Sequence, residues 1–235
     1  PLDAAVLIGC SGRLEASLSV VRRRGIPVVV IDGDAGEGIP RITLDNREAT
    51  RQIASHLRSL EHTNVAIVTL PLQADRQRGP VGDDAEITIE VTRERLRGAR
   101  DVYPDAPAVA AAGSFIDEGV LAGRLLLADP ESRPTAIIAQ SDLLAAGVIR
   151  AAEELGLAVP RELSGVGFDG ITVDGLAPYE LATMVQPAAQ IGRIAGEAVV
   201  RMLEGSDAPS VRFSCVFREG NTTAVAPAEA PLPVN

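Results

Sequence analysis

Short apolar runs alternate with longer stretches of helical periodicity along most of the chain. The runs at 27–31, 65–68 and 136–139 contain no polar side chain, which is typical of strands buried on both faces. Helical spacing is clearest at 188–203, where apolar residues recur every three or four positions and charged residues lie opposite them. This alternation predicts an α/β fold with parallel sheets that are covered by helices.

The pattern predicts nine strands and six helices. Strands are expected at 4–8, 27–31, 41–44, 65–68, 108–112, 136–139, 164–168, 181–185 and 211–217. Helices are expected at 13–24, from Asp45 to Leu60, and at 91–102, 115–128, 142–155 and 188–203. Asp45 and Glu48 have the spacing of a capping box. Residues 70–86 break the rhythm with prolines, glycines and charges and predict a long exposed loop, and the tail from Ala224 is expected to be loose.

The charge of the chain argues against direct contact with nucleic acid. The formal net charge is -10, all 22 basic residues are arginine, and they form no basic stripe. No apolar run approaches the roughly 20 residues of a membrane span, and no signal peptide is visible after Pro1. Cys10 and Cys215 are interpreted as two ordinary thiols, with a disulfide as the alternative.

Ligands of parallel α/β sheets bind beyond the carboxyl ends of the strands, so the residues there are the candidate site. Ser141, Asp142 and Asp169 follow predicted strands and can hydrogen-bond to hydroxyl groups. Asp142 can instead cap the following helix, and Phe168 can either offer its ring to a ligand or pack in the core. Gln186 directly follows the predicted strand 181–185, where it can cap the strand end.

Signals for catalysis or cofactors are weak. Residues 165–170 spell a literal G-x-G-x-x-G, but Asp169 would repel a pyrophosphate and no long helix follows. His56 and His62 lack metal-ligand spacing, and no nucleophile elbow is present. No enzyme activity, metal or cofactor is therefore expected.

Several segments together resemble the LacI family of bacterial transcription regulators. The stretches 134–147 and 154–169 are similar to the family's strand–loop–helix segments, and 183–186 resembles the segment before its next helix. Arg95 and Gly98 match the family's Arg-x-x-Gly helix, while 25–32 and 44–46 are weaker matches. The similarity covers nearly the whole chain in the family's order.

The resemblance implies a periplasmic binding protein type I-like fold: two similar lobes, each a parallel sheet flanked by helices, joined by three crossovers. The crossovers are expected near Thr69, Gln186 and Ser210, and at such a crossover Gln186 can respond to closure of the lobes. Residues 1–69 with 187–209 would then form the N-terminal lobe, 70–186 with 210–223 the C-terminal lobe, and 224–235 a flexible tail. The family also has two further strand–helix units and a helix-turn-helix headpiece before this segment.

The resemblance further implies a small-molecule effector between the lobes. Arg95 matches the family's effector-contacting arginine, whose planar guanidinium suits vicinal hydroxyls, a carboxylate or a phosphate. Ser141 stands where the family usually has Asn, so the effector stays open: a sugar or sugar-like molecule is expected, with a purine or phosphorylated sugar as alternatives.

The implied function is the sensing and dimerisation core of a cytoplasmic repressor. Its partners would be the effector, a second copy of itself, and operator DNA through the headpiece only, with no membrane partner. A secreted solute-binding protein of similar fold that serves a transporter is the alternative.

Overall fold

The computed structural model describes residues 2–9, 14–33 and 36–228, which form two sheets with helices around them. The helices are α1 Leu14–Arg23, α2 Asn46–Ser59, α3 Glu90–Arg100, α4 Ile116–Leu127, α5 Asp142–Glu154 and α6 Ala188–Leu203. The strands are β1 Ala5–Ile8, β2 Val28–Ile31, β3 Arg41–Leu44, β4 Val65–Thr69, β5 Gly79–Pro80, β6 Ala108–Ala110, β7 Ala136–Ala139, β8 Ser164–Asp169, β9 Ala182–Val185, β10 Val211–Phe213 and β11 Val216–Arg218. The predicted α/β class with helix-flanked parallel sheets is confirmed.

The smaller sheet has four parallel strands in the order β1-β2-β3-β10. Helix α6 packs on it through Ile191, Ala195 and Ala198, which fall on one face because they recur at helical spacing. The amphipathic pattern at 188–203 therefore predicted both the bounds of α6 and the face that it buries.

The larger sheet has seven strands in the order β11-β9-β8-β7-β4-β6-β5, and the central ones are parallel. Successive residues of β4 point to opposite faces. Ala66 and Val68 therefore pack with α4 and α5, while Val65 and Ile67 pack with α2 and α3. The edge strands β5 and β11 are antiparallel to their neighbours.

Helices α2 and α3 approach each other closely at Gly98. A Cβ at this position would lie 2.1 Å from the carbonyl oxygen of Arg47, so only glycine permits the observed separation. The cap of α2 is the one that the sequence predicts, since Asp45 accepts a hydrogen bond from the backbone N–H of Glu48 at 3.4 Å.

Two of the three expected crossovers lie elsewhere. The chain leaves the smaller sheet after Leu44 rather than near Thr69, because the apolar face of α2 packs against the larger sheet. The expected strand 211–217 is two strands, with β10 in the smaller sheet and β11 in the larger. Ser214 and Cys215 between them form the crossover that was expected near Ser210. Residues 46–69 thus lie with the larger sheet and 211–213 with the smaller.

The two irregular segments are more ordered than the sequence suggests. The expected loop 70–86 contains β5, which pairs with β6. In the expected tail, the Ala224 carbonyl oxygen contacts the buried His62 ring at 3.0 Å, and the Ala226 N–H donates to the Leu60 carbonyl. Residues 229–235 and Cys10 lie outside the described part of the chain. None of the described helices has the length and apolar character that crossing a membrane requires.

Candidate ligand-binding cleft

A cleft of about 500 Å³ lies between the two sheets, where the carboxyl ends of their strands face each other. Its wall on the side of the smaller sheet includes Ile31 and Asp32, at the end of β2. The opposite wall comes from residues of the larger sheet and its helices: Arg95, Ser114, Phe115, Ser141 and Asp169. The crossover residue Gln186 completes it. The cleft lies where the strand-end rule predicts a site, and its volume suits a small molecule.

Arg95 is the most heavily engaged residue of the cleft. Its side chain extends from α3 and is only 3% exposed. Nε donates to Asn46 Oδ1 at 2.8 Å and NH1 donates to the Gln140 carbonyl at 2.6 Å. The guanidinium lies 3.5 Å from the centroid of the Phe168 ring, at cation–π distance. These contacts fix one orientation of the guanidinium before any ligand arrives.

Two carboxylates lie near this guanidinium. Asp169 Oδ1 lies 3.6 Å from Arg95 NH1 and accepts a hydrogen bond from Gln186 Nε2 at 2.6 Å. Burial raises the pKa of Asp169, and the Arg95 charge partly opposes that rise. Asp32 accepts from the Leu44 N–H at 2.8 Å, and burial likewise raises the pKa of its carboxyl. Carboxylates from both walls can therefore accept hydrogen bonds from one ligand.

Hydroxyl groups supply the neutral part of the wall. Ser141 Oγ accepts hydrogen bonds from the Leu144 N–H at 3.2 Å and from Ser114 Oγ at 2.8 Å. Ser141 is thus the N-cap of α5, a role that the sequence offered for Asp142 as the alternative to ligand contact. The neighbouring Phe115 ring is 58% exposed and offers an apolar surface.

Asp142 does not reach the cleft. Its side chain is 0% exposed, and its Oδ1 accepts from the Thr183 hydroxyl. Oδ2 accepts from the Ile171 N–H at 2.7 Å. Because both oxygens are bonded inside the larger sheet, Asp142 ties β9 and the loop after β8 to α5. The structure therefore does not support the expected contact of Asp142 with a ligand.

Phe168 does not line the cleft either. The ring is buried in the core between the larger sheet and helices α2 and α3. Its face is occupied by the Arg95 guanidinium. Phe168 therefore packs in the core, which was the alternative that the sequence offered. Its ring supports the Arg95 guanidinium. Four of the six residues expected at the site line the cleft: Arg95, Ser141, Asp169 and Gln186.

Sequence reasoning missed other residues of the cleft. Asp32 and Ser114 follow β2 and β6, so the strand-end rule could have found them. Arg76 also lines the cleft, although it belongs to the 70–86 segment and no local pattern indicated this.

A second cavity of about 570 Å³ adjoins the cleft and shares Asp32 and Val91 with it. Charged residues on its opposite walls form an ion pair across the two lobes, with Arg41 NH2 2.8 Å from Glu90 Oε2. We place the ligand in the first cleft because the fixed guanidinium and both carboxylates converge there.

The fold and the cleft define a class: a two-lobed α/β binding domain whose polar groups face each other between the lobes. Comparison with known proteins gives the family. Residues 54–220 match the family model described as a periplasmic binding protein-like domain. The chain belongs to this family, and it is similar to the corresponding part of LacI-family regulators.

Individual relatives agree with this assignment. The HTH-type transcriptional regulator IpsA of Corynebacterium glutamicum is 30% identical over 93% of this chain and 63% of its own length. A LacI family regulator structure from Corynebacterium glutamicum has a TM-score of 0.85 at 28% identity and covers 94% of this chain and 68% of that one. A LacI family regulator from Enterococcus faecium with bound ribose shares the fold, with a TM-score of 0.78, 22% identity and coverage of 95% and 80%. The chain thus spans less than two thirds of the IpsA sequence.

Proposed function

We propose that this chain is the effector-sensing core of a cytoplasmic transcriptional repressor and that its effector is a polyhydroxylated small molecule. The observation that carries the proposal is the constrained Arg95 guanidinium between carboxylates from the two walls of one cleft. A ligand that bonds to both walls stabilises the closed arrangement of the lobes, because it interacts with that arrangement more strongly than with an open one.

The relatives support a regulator over the alternative of a secreted solute-binding protein, and they are regulators rather than enzymes. The ribose in the Enterococcus faecium relative supports a sugar-like effector here. We propose that closure acts through a homodimer on a helix-turn-helix segment outside these 235 residues. Because the net charge of this chain is -10, the chain alone is expected to bind no operator DNA selectively.

A thermal-shift screen tests the effector proposal. Sugars, polyols, nucleosides and purines are added to the chain, and the melting temperature is recorded. A ligand at 100 times its Kd stabilises the folded state by about 2.7 kcal/mol. For a chain of this size, that free energy corresponds to a rise of roughly 5–10 °C.

Asp169→Ala should abolish this rise. The rise is measured against the variant's own melting temperature without ligand, because the substitution also removes the partner of Arg95 and the acceptor of Gln186. Asp105→Ala, at an exposed position in the loop before β6, is the matched control and should keep the full response. A rise of equal size in the Asp169 variant would refute the location of the site. No response to any polyhydroxylated compound would refute the proposed effector class.

A further inference from the structure

The segment from Leu70 to Glu86 is held by contacts on both sides of Arg76. On one side, Gln73 Nε2 donates to the Glu86 carbonyl at 3.0 Å. On the other, the Arg78 guanidinium is paired with the Glu118 carboxylate, with Nε 3.2 Å from Oε2, and β5 follows directly. The position of Arg76 is therefore set by contacts on either side of it.

Arg76 offers a positive charge to the cleft. Its backbone has φ of +55°, in the left-handed region that side chains other than glycine rarely adopt, and its N–H donates to the Gln73 carbonyl at 3.2 Å. The side chain is exposed and lines the cleft. Within the described part of the chain, no carboxylate or other acceptor engages its guanidinium, in contrast to Arg78 two positions later.

Two helices begin at the cleft, and they differ in charge. Gly113 to Phe115 line the cleft and precede α4, whose first turn holds Asp117 and Glu118. Ala188 also lines the cleft and begins α6. Neither N-cap residue, Phe115 or Pro187, caps its helix with a side chain. The first turn of α6 has no acidic residue, so its backbone N–H groups and helix dipole favour an anion.

Other elements supply groups of the opposite kind. Asp32 and Asp169 are hydrogen-bond acceptors that suit hydroxyl groups and repel an anion. The cleft therefore combines a hydroxyl-binding region around Arg95 with positive groups supplied by Arg76 and the start of α6.

We infer that the effector carries one anionic group, a phosphate or a carboxylate, on a hydroxylated body, and that Arg76 binds this group. This inference rests on the proposed function, because it assigns the chemical class of the molecule bound in the same cleft. Arg76 is then the residue that separates a charged effector from its neutral parent compound.

The test compares matched pairs of compounds by isothermal titration at one ionic strength, set with chloride. The pairs are glucose with glucose 6-phosphate, ribose with ribose 5-phosphate, and glucose with gluconate, so that phosphate and carboxylate are probed separately. In one pair at least, the anionic member should bind about tenfold tighter than its neutral parent, a difference of about 1.4 kcal/mol.

Arg76→Gln should remove most of this preference and leave the affinity for the neutral member unchanged, whereas Arg76→Lys should keep it because the charge remains. Arg161→Gln is the matched control, since Arg161 is 83% exposed, lies outside the cleft and has only a 3.7 Å contact with Glu162. A preference that survives in Arg76→Gln overturns the inference.

The test also separates this inference from the proposed function. If neutral sugars bind as tightly as their anionic partners and Asp169→Ala abolishes that binding, the inference fails and the proposed function stands. If no compound in either set binds, both are overturned.

Discussion

Replacing Asp142 with asparagine should stabilise the protein at neutral pH, although this carboxylate accepts hydrogen bonds from two segments of the larger sheet. The side chain is fully buried, and burial raises the pKa of Asp142 to about 6 in spite of its bonds to Thr183 and Ile171. An asparagine can present its oxygen to the Ile171 N–H and its amide to the Thr183 hydroxyl. The variant keeps both contacts and removes the buried charge.

The magnitude follows from linkage. The pKa of this group rises from 3.8 to about 6 on folding. Its contribution to stability is therefore fully present below pH 3.8 and is lost as the pH rises through 6. At 1.36 kcal/mol for each pH unit, the wild-type protein loses about 2–3 kcal/mol from this group between pH 4 and pH 7. The asparagine variant has no such loss.

Urea unfolding at pH 4, 5, 6 and 7 measures this difference. The free energy of unfolding of Asp142→Asn minus that of the wild type should rise across the series. Subtraction removes the opposite effect of carboxyls with lowered pKa, such as Asp101 beside Arg47. Asp129→Asn is the control, because hydrogen bonds from Ser132 and Glu131 lower the pKa of this exposed carboxyl. A flat difference, or a variant less stable than the wild type at pH 7, would refute the argument from burial.

Three further experiments test other parts of the structure. Gly98→Ala should lower the unfolding free energy by about 1–3 kcal/mol in urea titrations, because its Cβ forces α2 and α3 apart; an unchanged value would contradict the close approach. Arg95→Met should lower the unfolding free energy by about 3–5 kcal/mol, since the substitution leaves Asp169 without its buried partner. This loss should be smaller at pH 4 than at pH 7, because burial raises the pKa of Asp169. A double-mutant cycle of Arg41→Gln and Glu90→Gln should give a coupling of about 0.2–1 kcal/mol, because this ion pair between the lobes is about one-third exposed; zero coupling would show that the pair does not hold the lobes together.

Local patterns predicted most of the elements. Helix α6 has the expected bounds, and the Asp45 cap was visible as a spacing of three residues. The run 211–217 was predicted as one strand because local sequence records β-propensity and not the identity of the neighbouring strand. Its two halves pair with β3 and β9, which are distant in sequence. The crossover expected near Thr69 was misplaced for the same reason, because local sequence does not show which strands β4 pairs with.

The site was predictable in position but not in the direction of each side chain. Asp142 and Asp169 both follow predicted strands, yet only Asp169 reaches the cleft. The backbone of Asp169 has φ of +122°, a conformation that local sequence does not predict for a residue other than glycine. The sequence likewise does not predict that Arg76 lines the cleft, because contacts of Arg78 and Gln73 place it beside residues far along the chain.

The pairing of β10 with β3 has a consequence for how the protein is made. Phe213 lies beside Leu44 in the smaller sheet, so that sheet lacks one of its strands until residue 213 has left the ribosome. Until then the open side of β3 is available to other strands, as any unpaired strand edge is. Meanwhile β4 to β9 can already assemble, since they are contiguous apart from their helices. Nascent chains should therefore acquire protease resistance first in strands β4 to β9 of the larger sheet, and in the smaller sheet only after β10 has emerged.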